Sequence, residues 1–100
     1  MIIILDPPSI IRSPTNVTVN RGDSVMLQCE FQGIPTPTVT WLHNNRAVAS
    51  SKYSVDASGL SNLTLSNIAI SDSGKYWCQV ENTFMAIDSS AAFVTVYCTC

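Results

Sequence analysis

The stretch Asp72-Ser73-Gly74-Lys75-Tyr76-Trp77-Cys78 decides the fold of this chain. Successive side chains of an extended strand point to opposite faces, so Tyr76 and Cys78 share one face while Trp77 lies on the other. Val80 continues the face of Tyr76 and Cys78. An apolar residue at every second position predicts a half-buried β-strand.

The same alternation recurs along the chain, in short segments separated by turn residues such as Asn44-Asn45. Weaker strands are predicted within residues 46–56, and no segment has a convincing helical period. Strands with one apolar face predict an antiparallel sandwich of two sheets. The other residues predicted to face inward are Val17, Val19, Val25, Leu27, Cys29, Phe31, Val39, Trp41, Leu63, Leu65, Ala92, Val94 and Val96.

Three parts of this pattern carry a family resemblance. Cys29, Trp41 and residues 72–78 resemble the Cys…Trp…Asp-x-Gly-x-Tyr-x-Cys signature of immunoglobulin domains. The Gly33-x-Pro35-x-Pro37 loop and the Asn-x-Thr-Val sequence at residues 16–19 resemble the I-set branch of that family. The resemblance implies an all-β fold, a two-sheet antiparallel Greek-key sandwich of the immunoglobulin-like, I-set kind.

The resemblance also implies roles for individual side chains. Cys29 and Cys78 are expected to form a disulfide between the two sheets, with Trp41 packed on it. Tyr76, two residues before Cys78, matches the tyrosine corner, whose hydroxyl bonds to nearby backbone. All four residues are therefore expected to be structural.

One domain fits a chain of 100 residues. We predict that it spans residues 9–97, preceded by a linker or the remnant of an earlier segment in residues 1–8. The apolar residues 1–5 lack a preceding positive charge and are too short to cross a membrane, so neither a signal peptide nor an anchor is expected there. Residues 98–100 are expected to be a tail or the start of a cysteine-rich segment, with Cys98 and Cys100 pairing elsewhere or between chains.

Composition excludes several classes of function. The net charge is −2 and the five Lys and Arg residues are scattered, so no basic surface for nucleic acid is expected. The single histidine, His43, is predicted at the surface, and no nucleophile with a base, no carboxylate pair and no phosphate-binding loop is evident. We therefore expect no enzyme, no cofactor and no metal site.

Three short motifs have possible functional meaning. Asn16-Val17-Thr18 and Asn62-Leu63-Thr64 are N-glycosylation sequons, and the strand phase turns both asparagines outward. Arg21-Gly22-Asp23 spells an integrin-recognition tripeptide. Because Gly and Asp are also favoured in tight turns, we interpret the tripeptide as a turn and do not expect integrin binding.

The sequence favours an extracellular recognition module of a secreted or cell-surface protein. Leu42, Trp77 and Phe93 fall on the outward phase of strands that the resemblance makes neighbours, so they form a candidate protein-binding face. The expected partner is another protein, and a second copy of this protein on an apposed cell is one such partner. The main alternative is a passive spacer in a tandem array. An intracellular, muscle-type domain is disfavoured because it needs neither a disulfide nor sequons.

Overall fold

The computed structural model describes residues 6–56 and 58–98. These residues form ten strands and two short 3₁₀ turns, at Ser50–Lys52 and Ile70–Asp72. The strands are β1 (Asp6–Arg12), β2 (Val17–Asn20), β3 (Val25–Ile34), β4 (Thr38–His43), β5 (Arg46–Ala47), β6 (Tyr53–Val55), β7 (Leu60–Leu65), β8 (Gly74–Glu81), β9 (Ala86–Asp88) and β10 (Ala92–Tyr97).

The strands form two sheets, which confirms the predicted all-β sandwich. One sheet has the order β1-β3-β7-β6, and the other has the order β2-β10-β8-β4-β5 with β9 also paired to β8. The pairings are antiparallel except that of β2 with β10, which is parallel. The parallel pair arises because the chain crosses from the first sheet to the second between β1 and β2, where Pro14 interrupts the strand.

The core lies between the sheets and is built from the predicted inward positions. Along β3, β8 and β10 the apolar residues at every second position are buried, in phase with the sequence pattern. The disulfide Cys29–Cys78 joins β3 of one sheet to β8 of the other, as predicted. Trp41 on β4 lies directly opposite Cys78 and is fully buried.

A short chain of hydrogen bonds satisfies the polar atoms beneath Trp41. Its Nε1 donates to Ser61 Oγ at 2.9 Å, and that hydroxyl donates to the Ser54 carbonyl at 2.8 Å. Ser61 is fully buried. Because a buried donor without a partner is costly, Ser61 is what allows an indole at this depth.

The structure differs from the predicted boundary at the N-terminal side. β1 begins at Asp6, which pairs with Ile34 of β3, and Pro8 is buried. Residues 6–8, expected in a linker, are therefore part of a strand. Proline is tolerated there because β1 is the edge of its sheet. The remaining linker residues 1–5, together with Thr99 and Cys100, lie outside the described residues, and Cys98 is disulfide-bonded.

Candidate protein-binding face

The three residues of the candidate binding face lie on adjacent strands of one sheet. Leu42 on β4 is the direct cross-strand partner of Trp77 on β8, and both are half-buried. Phe93 lies on β10, on the other side of β8, and its side chain is 53% exposed. Directly opposed side chains stand close enough to touch, so Leu42 and Trp77 form one apolar pair.

Lys75 separates this pair from Phe93. It is the cross-strand partner of Phe93, and its Nζ lies 5.1 Å from the centroid of the Trp77 ring. An ammonium over an indole face is attracted by the ring's electrons. The face is therefore an aromatic surface with a cation at its centre, and we name it the Trp77 face (Leu42, Lys75, Trp77 and Phe93).

The first sequon lies beside the Trp77 face. Asn16 is exposed just before β2, and its Oδ1 accepts a hydrogen bond from the backbone N–H of Phe93 at 2.9 Å. Thr18, the third residue of the sequon, is exposed on β2. The carboxamide thus supports the start of β10 through its oxygen.

The second sequon lies on the opposite sheet. Asn62 is in the middle of β7, between Gln28 of β3 and Ser54 of β6. The residue is half-buried, and its Oδ1 is buried with no hydrogen-bond partner among the described residues. Because a buried acceptor without a donor costs free energy, this asparagine is a poor fit to its strand.

The Arg21-Gly22-Asp23 tripeptide forms an exposed turn between β2 and β3. The Asp23 carboxylate accepts a hydrogen bond from the Asn20 N–H at 3.2 Å, and the Asp23 N–H donates to the Asn20 carbonyl at 3.1 Å. Gly22 has a φ of 93°, a conformation that glycine adopts without steric cost. Gly22 and Asp23 therefore each have a local role in the turn.

Tyr76 is buried near the start of β8. Its hydroxyl donates to the Asp72 carbonyl at 2.6 Å, and its ring stacks on the His43 imidazole with centroids 4.2 Å apart. Burial, and secondarily the Asp72 charge, raise the pKa of Tyr76 to about 12. His43 is half-buried rather than at the surface as predicted, because its Nε2 also bonds to the Ser73 carbonyl at 2.9 Å.

Two other kinds of site are absent from residues 6–56 and 58–98. That part of the chain contains no group of three or more His, Cys, Asp or Glu residues placed to hold a metal ion. It also contains no helix long and apolar enough to span a membrane.

A family profile described as "Immunoglobulin domain" matches residues 7–82. The chain belongs to the immunoglobulin-domain family. It is 33% identical to Neuroglian of Drosophila melanogaster over 89 residues, covering 89% of this chain and 7% of that protein. It is 31% identical to vascular endothelial growth factor receptor 1 of Gallus gallus over 91 residues, covering 91% of this chain and 7% of that receptor. This immunoglobulin domain thus spans a small fraction of each relative.

Solved structures agree with the family assignment. A chain in the crystal structure of the titin M10–obscurin-like 1 Ig complex superposes with a TM-score of 0.84 at 31% identity, covering 95% of this chain and 98% of that one. Domains similar to this one therefore occur both in a growth factor receptor and in the titin M10–obscurin-like 1 Ig complex.

Sequence reasoning missed two features of this immunoglobulin domain. The first is the contact of the Lys75 ammonium with the Trp77 indole, which the sequence analysis did not predict, although a spacing of two on one strand allows it. The second feature is the group of loops around Asn82, at the end of the domain where β8 finishes. There Asn82 Nδ2 donates to the carbonyls of Asp6 at 3.0 Å and Pro35 at 3.4 Å, while Phe84 and Met85 are each 49% exposed.

Proposed function

We propose that this immunoglobulin domain is a non-catalytic extracellular recognition module that binds another protein through the Trp77 face. The observation that carries the proposal is the placement of Leu42, Trp77 and Phe93 on three adjacent strands of one sheet. Binding to a second copy of the domain on an apposed cell is one form of this function.

The chemistry of the face supports a protein partner. Aromatic residues are favoured as interface anchors because each buries a large, rigid area with little loss of side-chain entropy. The Trp77 and Leu42 pair offers one anchor, and Phe93, the most exposed of the three, offers a second. Lys75 favours an acidic group on the partner at the centre of the contact.

The extracellular location is supported by covalent chemistry. Disulfides persist in oxidising compartments, and the Cys29–Cys78 bond is enclosed in the core. The sequons at Asn16 and Asn62 support the same location, since N-glycans are added in the secretory pathway. An intracellular, muscle-type domain would need neither feature.

The alternative function is a passive spacer in a tandem array. The similarity at 31% identity to a chain of the titin M10–obscurin-like 1 Ig complex favours it. So does the contact of Lys75 with Trp77, because it covers part of the apolar surface without any partner. In this alternative the domain sets the distance between its neighbours, and the Trp77 face contributes only to folding.

We also propose that the Arg21-Gly22-Asp23 turn does not recruit integrin. The Asp23 carboxylate is already hydrogen-bonded to the Asn20 N–H, which supports a structural role. Replacement of Asp23 by Glu should therefore leave cell attachment to the immobilised domain unchanged. Loss of integrin-dependent attachment in that variant would contradict the turn interpretation.

The function is tested with beads that display many copies of the secreted domain. Aggregation of the beads measures self-recognition, and capture of the beads by cultured cells measures recognition of another protein. The variant Trp77→Ser should reduce whichever signal is present at least tenfold. Met26→Ser is the matched control, because Met26 is 57% exposed on the opposite sheet.

Circular dichroism should first show that both variants are folded. Three outcomes would then contradict the recognition proposal. Loss of binding in Met26→Ser but not in Trp77→Ser would place the contact on the opposite sheet, and equal loss in both would leave the Trp77 face without a specific role. Absence of aggregation and of capture for the unmodified domain would favour the spacer.

A further inference from the structure

We propose that Asn16 is an N-glycosylation site whose glycan is held beside Phe93 and shields the free edge of β2. This inference rests on the extracellular location in the proposed function. It goes beyond that function because it assigns a role to the modification: the glycan closes one half of the Trp77 face and leaves the other half open.

The local structure leaves the reacting atom available. Asn16 is exposed, and its Oδ1 is engaged by the Phe93 N–H. Within residues 6–56 and 58–98, no hydrogen bond from Asn16 Nδ2 is present. Because the carboxamide is planar, fixing its oxygen toward the β10 backbone directs the nitrogen away from that backbone. The side chain is thus oriented before any sugar is attached.

The modification preserves this hydrogen bond. The donor is a lipid-linked oligosaccharyl diphosphate of the secretory pathway, whose sugar C1–O bond to the diphosphate breaks as Asn16 Nδ2 bonds to C1. Nδ2 loses one proton, and the lipid diphosphate is the leaving group. Only the nitrogen changes its substituents, so Oδ1 still accepts from Phe93.

The surface around Asn16 has features that favour unwanted association with other chains. β2 is the outermost strand of its sheet, and it exposes unpaired backbone groups along one side. The neighbouring strand β10 presents Phe93 at 53% exposure and Tyr97 at 56% exposure. An exposed strand edge next to exposed aromatic residues favours association with other chains.

A bulky, hydrated glycan at Asn16 therefore makes the Trp77 face asymmetric. The sugar lies at the β2–β10 side and limits access to Phe93. Leu42 and Trp77, on β4 and β8 farther from β2, stay accessible. A partner is thereby directed to the Leu42–Trp77 half of the face.

Occupancy is tested by secreting the full chain from cultured mammalian cells behind an added signal peptide. Peptide mass spectrometry then measures modification at Asn16. We expect most of the secreted protein to carry a glycan there, and Thr18→Ala to abolish it. Thr18→Ser is the matched control, because it keeps the sequon. Secreted, folded protein that is unmodified at Asn16 would overturn the inference while leaving recognition by Trp77 untouched.

The shielding role is tested by sedimentation velocity on the same proteins. Thr18→Ala is preferred to a change at Asn16, because it removes the glycan and keeps the hydrogen bond to Phe93. We expect Thr18→Ala to self-associate at least tenfold more tightly than Thr18→Ser, and Thr18→Ala combined with Phe93→Ser to lose that gain. Equal self-association of the Thr18→Ala and Thr18→Ser variants would show that the glycan does not shield this surface.

Discussion

Trp41 is the residue on which the packing of the core depends most. It is fully buried, faces the disulfide and donates its only side-chain hydrogen bond to Ser61. Replacement by Ala should lower the free energy of unfolding by about 3–5 kcal/mol, since it empties a large site and leaves Ser61 with one partner fewer. Chemical denaturation measures the loss. Trp77→Ala is the control and should cost less, because Trp77 is only half-buried; equal losses would contradict the prediction.

Because of Tyr76, the free energy of unfolding of the domain depends on pH in the alkaline range. Its pKa is raised from 10.0 to about 12 in the folded domain, so between these values the unfolded chain loses the phenolic proton first. Stability from this group is fully present below pH 10 and is lost as the pH rises through 12, roughly 2–3 kcal/mol in total.

The variant Tyr76→Phe isolates this effect, because it removes only the Tyr76 hydroxyl and leaves the rest of the chain unchanged. It should be less stable at neutral pH by about 1 kcal/mol, since the hydrogen bond to Asp72 is lost. From pH 10 to 12 its stability should fall less than that of the unmodified domain. Parallel pH profiles for the two proteins, measured by urea denaturation, would count against a buried, neutral phenol.

For single residues, the sequence predicted which side chains point outward better than it predicted which side chains touch each other. The strand period placed Trp77 and Phe93 outward, because alternation is a local property of the backbone. The stack of His43 on Tyr76 was not predictable, since it joins residues on different strands and depends on their register. For the same reason the hydrogen bond from the Phe93 N–H to Asn16 Oδ1 was not predictable, since the two residues are 77 positions apart.

The β4–β5 hairpin is the element most sensitive to one backbone position. Its two-residue turn, Asn44-Asn45, has positive φ at both residues, and Asn44 Oδ1 accepts from the Lys75 N–H at 3.0 Å. Gly74 has a φ of 134°, and a Cβ there would meet the Asn44 carboxamide at 2.6 Å. The turn and the start of β8 therefore fit together only when residue 74 lacks a side chain.

We expect Gly74→Ala to destabilise the domain by roughly 1–3 kcal/mol from backbone strain, and further from the contact with Asn44. Gly22→Ala is the matched control: its φ is 93°, but nothing lies within 4 Å of the added Cβ. The difference between the two midpoints of thermal unfolding measures the Asn44 contact. A Gly22 variant as unstable as the Gly74 variant would show that strain alone accounts for the loss.

Strands were predictable at the element scale where an apolar face repeats. The alternation identified β3, β8 and β10 directly, because each has at least three buried residues at every second position. β9 was missed because none of its three residues is fully buried. The parallel pairing of β2 with β10 was also missed, since pairing direction depends on how the chain crosses between the sheets.

For the whole molecule, the Cys29–Cys78 bond is the main constraint on the unfolded chain. It joins residues 49 positions apart, and closing a loop of that size removes unfolded-state entropy equivalent to about 4 kcal/mol. That is comparable with the net stability of a small domain. The double variant Cys29→Ala and Cys78→Ala should therefore be largely unfolded at 37 °C, as read by near-ultraviolet circular dichroism. A cooperative transition at the original denaturant midpoint would contradict this expectation.

The same bond limits how far the domain lengthens when its two ends are pulled apart. An extended chain spans at most about 3.3–3.6 Å per residue, so the 49 positions between the cysteines represent roughly 160–175 Å of contour length. With the bond intact, that length stays inside a closed loop, and only the segments outside residues 29–78 extend under tension. In an oxidising environment the disulfide thus limits the extension of the domain to those outer segments, and its reduction would add the length of the closed loop.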